Sequence, residues 1–89
     1  MTQLQKAAAF LLMIGLEKSR KVLNLMDSDE IKTISFEFAK LTELSPHIQE
    51  RVQYDFVQLG YEPEMNPAET LYVLRQLFNG SKIRKVSQL

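Results

Sequence analysis

The sequence predicts an all-α domain, a small bundle or a short superhelical array of five to six helices. Apolar residues recur at spacings of three and four, as one face of a helix requires. The breaks between these runs carry helix stop and start signals rather than hairpin chemistry, and no stretch sustains the alternation of a strand.

The first helix spans about Thr2 to Ile14 and stops near Gly15, the residue type that best tolerates the left-handed conformation past a helix end. Within it lies KAAAFLLMIG, Lys6 to Gly15, in which eight residues in a row, Ala7 to Ile14, are apolar. Successive helical positions are about 100° apart, so this run wraps the whole circumference. The helix needs cover on every side. A second helix runs from about Glu17 to Met26.

Asp27-Ser28-Asp29-Glu30 reads as a capping box, in which Asp27 accepts from the third helical N–H, Glu30 reaches back, and the acidic trio complements the helix dipole. A third helix starts there and ends near Leu41, burying Ile31, Ile34, Phe38 and Leu41 and leaving Phe36 off the stripe. Ser45-Pro46 supplies a cap and a proline at the first helical position, where the missing N–H costs nothing. Ile48, Val52, Phe56 and Leu59 mark the buried face of this fourth helix, which ends at Gly60.

YEPEMN is a loop, and Asn66-Pro67-Ala68-Glu69 repeats the cap, proline and glutamate for a fifth helix with Leu71, Leu74, Leu77 and Phe78 as its stripe. Asn79-Gly80 ends it. Ser81 caps a sixth helix, SKIRKVSQL, with no stop of its own, so residues 1–80 are expected to form one domain and 81–89 the start of a further helix or linker. Connections of roughly two to six residues make consecutive helices neighbours. LEKSRKVLNLM, DSDEIKTISFEFAKL and SPHIQERVQYDFVQL echo one another, which fits an array, although ordinary helix patterning produces the same echo.

Composition narrows the function classes. With 89 residues, 45% apolar and 25% charged, the chain is one small globular domain, burying roughly 60 to 65% of its unfolded surface. Eleven basic and eleven acidic residues balance, so no overall field draws it toward nucleic acid or an anionic membrane. The absence of cysteine excludes disulfides and thiol chemistry and fits the cytoplasm. The apolar run near the N-terminus is too short to span a membrane and lacks a signal-peptide cleavage pattern.

Catalytic and metal motifs are missing from the sequence. His47 is the single histidine, next to a helix start, and reads as a surface residue; Ser45, His47 and Asp55 make a triad only on paper, since Ser45 serves as a cap. Gly15, Gly60 and Gly80 are solitary helix stops rather than a phosphate loop. Asp27, Asp29 and Glu30 lack the length and glycine of a calcium loop. Two basic clusters, Lys18, Arg20 and Lys21, then Lys82, Arg84 and Lys85, read as solvated faces.

In its order of motifs the chain resembles the N-terminal domain of the flagellar motor switch protein FliG. The family's lysine, small residues and aliphatic run before glycine fall on Lys6 to Gly15. Its charged helix ending in valine and leucines falls on Glu17 to Met26, and its next cap on Asp27 to Ile31. Ile34-Ser35, Ala39, Leu41, Ser45-Pro46 and Asp55-Phe56 continue the match, which extends more weakly from Ala68 to Val86. Two departures, Ile14-Gly15-Leu16-Glu17 for Leu-Gly-Glu-Glu and Asp27-Ser28 for Ser-Pro, keep both helix starts. The family's middle and C-terminal domains have no counterpart, so the resemblance implies a fragment or a truncated relative.

The resemblance implies an armadillo-related fold and a non-enzymatic role without a cofactor. It implies binding the C-terminal cytoplasmic tail of the membrane-ring protein FliF, packing beside neighbouring copies in a ring, and residence at the cytoplasmic face of the inner membrane. On that view the apolar first helix is covered partly by its own domain and partly by a partner helix. Phe10, Leu11, Ile14, Phe36, Phe56 and Leu74 are the expected groove residues, with Tyr54, Tyr61 and Tyr72 as alternative rim anchors. Two rival readings are the cytoplasmic helical domain of an MgtE-type magnesium transporter, for which Asp27, Asp29 and Glu30 are too local, and a small helical nucleic-acid-binding domain.

Overall fold

The computed structural model describes residues 1–41 and 43–78. It contains helices α1 (Gln3–Met13), α2 (Leu16–Leu23), α3 (Ser28–Lys40), α4 (Pro46–Gln58) and α5 (Pro67–Phe78), with no strand among the described residues. The expected stop at Asn79-Gly80, the sixth helix and the cluster Lys82, Arg84 and Lys85 lie outside the described residues.

Local chemistry sets the boundaries. Thr2 is the N-cap of α1 rather than its first residue: its hydroxyl accepts from the Gln5 N–H at 3.1 Å, and the Gln5 side chain accepts from the Thr2 N–H at 2.9 Å. Gly15 turns the chain at φ 95°, a conformation that strains any residue with a Cβ. Helix α2 ends at Leu23, short of Met26, because the N–H groups of Leu25 and Met26 donate three residues back to Val22 and Leu23. That tight turn delivers Asp27 in the extended conformation that its capping role demands.

Helix α1 is the axis of the domain and packs against α2, α3, α4 and α5. Ala7, Ala8, Ala9, Phe10 and Leu11 sweep more than a full turn, and none exceeds 3% exposure. The domain's own helices enclose this segment, whereas Leu12, the next residue of the apolar run, is 53% exposed. Three successive alanines let those neighbours approach closely, while Phe10 stacks on Phe56 with centroids 3.9 Å apart and meets Tyr61 edge-on at 4.7 Å. Val22 and Met26, Ile34, Val52, and Leu71, Val73, Leu74 and Leu77 complete the core.

A few polar contacts pin the helices to α1 or to one another. The Lys6 ammonium sits 2.7 Å from Asp55 of α4, off the direction of a formal hydrogen bond, so the contact is ionic. The buried Ser19 hydroxyl of α2 donates to the Leu11 carbonyl. Arg75 of α5 forks onto the buried Glu30 of α3 at 2.8 Å through Nε and 2.8 Å through Nη2. Burial by itself would raise the Glu30 pKa; the Arg75 hydrogen bonds, the Asp27 N–H and the Arg75 charge outweigh it and hold the carboxyl below its usual value of 4.5.

Overfilling the alanine segment should destabilise the domain: Ala8→Leu is expected to lower the unfolding free energy by about 1–3 kcal/mol in urea titrations. Leu12→Ala, at a site 53% exposed, should lower it by less than about 1 kcal/mol. Because the Glu30 pKa is depressed on folding, its contribution is present above 4.5 and is lost as pH falls through the folded value. Melting temperature measured downward from pH 5 should thus fall more steeply in the native sequence than in Glu30→Gln, which lacks this titration.

Candidate protein-docking surface

With the middle of α1 enclosed, exposed large apolar side chains lie at its C-terminal end, at the start of α2 and on the outer side of α3, and also at Leu25, at Tyr54 and Val57 of α4 and at Tyr72 of α5. Leu12 is 53% exposed, Leu16 76% and Phe36 63%. The Gly15 turn places Leu12 and Leu16 on either side of the α1–α2 junction, where with Leu23 and Phe38 they wall a groove of about 270 Å³. Leu11 and Ser19 form its floor, and the exposed Arg20 stands at its rim.

From this groove the surface continues around α3. Phe38 is half-buried at the groove, Ser35 and Ala39 follow around the helix, and Phe36 lies beyond them. Two small side chains between two phenylalanines make a low saddle over which another helix can approach closely. The Lys40 ammonium lies 4.5 Å over the Phe36 ring and 3.8 Å from Glu37, so it covers one face of that ring with positive charge. Arg20, Lys32 and Lys40 thereby border the apolar strip with positive charge.

The sequence matches the family model for the FliG N-terminal domain over residues 1–87. The chain belongs to the FliG N-terminal domain family. It is 37% identical over 81 residues to the flagellar motor switch protein FliG of Borreliella burgdorferi, covering 91% of this chain and 24% of that protein. The chain thus spans about a quarter of the length of this curated relative. No solved structure gives a significant match. Among the described residues, no helix is long and apolar enough to cross a membrane.

In this FliG N-terminal domain the expected groove residues divide. Phe10, Phe56 and Leu74 are core residues of the free domain, 3%, 0% and 0% exposed, and lie beneath its surface. Leu11, also 0% exposed, forms only the groove floor. Ile14 is half-buried and lines a separate cavity of about 200 Å³ with Phe10, Met13 and Tyr61, where Lys18 donates to the Pro63 carbonyl at 3.2 Å. Phe36 alone of the set projects from the surface.

Leu12, Leu16 and Leu23 were not singled out by sequence reasoning. The available signal was Leu16, an apolar residue just after a glycine stop with no buried stripe to join. Tyr54 and Tyr72 are exposed on α4 and α5, while Tyr61 is half-buried beside Phe10, and burial pushes its phenol pKa up.

The remaining polar candidates have structural partners. The Asp27 carboxylate accepts from the Glu30 N–H at 2.8 Å, the Ser45 hydroxyl from the Ile48 N–H at 3.2 Å, and the Asn66 side chain from the Glu69 N–H at 2.8 Å. With Ser45 capping and Asp55 paired to Lys6, the paper triad with the exposed His47 is not assembled. Among the described residues, no group of three His, Cys, Asp or Glu side chains is placed to hold a metal ion.

Proposed function

We propose that this domain is an interaction module of the flagellar rotor, part of the motor switch complex, that binds the C-terminal cytoplasmic tail of FliF and packs beside neighbouring copies in a ring. It works at the cytoplasmic face of the inner membrane and passes torque between the rotor rings. Family membership supports the rotor assignment. The apolar strip from Leu12 and Leu16 across Phe38 to Phe36 is the observation that carries the docking role.

The occupant is an amphipathic helix of the tail with acidic residues along its flanks, complementary to Arg20, Lys32 and Lys40. Its apolar face covers Leu12, Leu16 and Phe36, each side chain contributing up to about 1.5–3 kcal/mol when fully buried. Ordering the tail opposes this by about 2–5 kcal/mol. Leu11 supplies the floor, and Phe10, Phe56 and Leu74 act from beneath by keeping α1, α4 and α5 in place.

Calorimetry with a synthetic FliF tail peptide tests the proposal: binding heat and a raised melting temperature are expected, whereas neither appearing with both components soluble would refute the partner. Phe36→Ala and Leu16→Ala should each weaken binding by about tenfold or more with the melting temperature of the free domain nearly unchanged. Tyr54→Ala, outside the strip, should bind as the native sequence does. Raising the salt from 0.05 to 0.5 M should weaken the complex further if the lysine and arginine border contributes.

A further inference from the structure

One carboxylate joins two elements that are 45 residues apart in the chain. Glu30 Oε1 accepts both the Asp27 N–H at 3.0 Å and Arg75 Nη2 at 2.8 Å, and Oε2 accepts Arg75 Nε at 2.8 Å. The boxes at Thr2–Gln5 and Asn66–Glu69 have the same reciprocal bonds, but theirs are exposed and closed within a single helix turn. Helix α5 packs on α1 and α2 rather than along α3, so the Glu30–Arg75 pair bridges helices that are otherwise seated separately.

We infer that Glu30 is a positioning residue that couples the seating of α5 to the first turn of α3. The Arg75 fork fixes the plane of the carboxylate, and that plane aims Oε1 at the Asp27 N–H. If α5 shifts, Glu30, 4% exposed, loses two charge-assisted bonds and must turn toward water, releasing the cap. The same link runs in reverse: fraying of the α3 start removes the acceptor that holds Arg75. Displacement of α5 is therefore transmitted to the helix that carries Phe36, a consequence that rests on the docking role proposed above, while the coupling itself does not.

Hydrogen exchange of the free domain, followed residue by residue by NMR, tests the coupling without any partner. In Arg75→Gln the N–H groups of Asp27 and Glu30 should exchange at least about tenfold faster, with the Gln5 and Ile48 cap amides unchanged. Glu30→Gln keeps an amide oxygen for the Asp27 N–H, as Gln5 does for Thr2, so the α3 cap should stay protected while amides around Arg75 exchange faster. Equal acceleration in every helix, or none at Asp27 and Glu30 in Arg75→Gln, would overturn the inference. Tail binding is scored separately by calorimetry, so failure of the coupling and failure of the docking role are distinguishable.

Discussion

The structure depends on burying the middle of one short helix, Ala7 to Leu11, from every direction. A helix that is apolar around its circumference cannot sit at the edge of a small bundle, because one side would face water. Here α1 is central, and α2, α3, α4 and α5 each give it part of their apolar face. The alanines at positions 7 to 9 make this possible, since larger side chains on all sides would hold the neighbours apart. The aromatic stack of Phe10 on Phe56 then fills the wider space between α1 and α4.

Serving a central helix leaves the outer helices underused. Each of them turns one face inward and has no layer on its other side, so apolar residues off the inward stripe remain exposed. On α3 this leaves Phe36, and at the α1–α2 junction it leaves Leu12 and Leu16. The arrangement of small residues between these positions, with cations around them, gives the patch the form of a helix seat rather than scattered surface apolarity. The patch sits on a scaffold fixed from within by the enclosed Ala7–Leu11 segment of α1.

The polar contacts have a related logic. Lys6–Asp55, Ser19–Leu11 and Glu30–Arg75 each tie one outer helix to a neighbour at a single defined register, where apolar packing alone would permit sliding. Glu30 stands apart because it is both cap and ion-pair partner. A carboxylate in that double role makes the placement of one helix a condition for the start of another.

Much was legible in the sequence because helix grammar is local. Caps, proline at the first turn and glycine stops act within four residues, so the number, order and approximate limits of α1 to α5 followed from the chain, as did the resemblance to the FliG N-terminal domain. The inward stripes of α3 and α4, and Leu71, Leu74 and Leu77 of α5, were equally readable from their spacing, whereas the buried Val73 fell outside the expected stripe. The short end of α2 was not, since a tight turn there competes with a helical pattern that continues to Met26. What covered α1 required the tertiary structure, because an all-round apolar segment has the same sequence whether its last neighbour is its own domain or another protein. The same reason separates the enclosed Phe10, Phe56 and Leu74 from the exposed Phe36 within the expected set, and adds Leu12 and Leu16 to the exposed ones: periodicity says that a residue is apolar, and only the packing of distant helices decides which apolar residues are left over. The Glu30–Arg75 contact belongs to this second class too, since no local rule links positions so far apart.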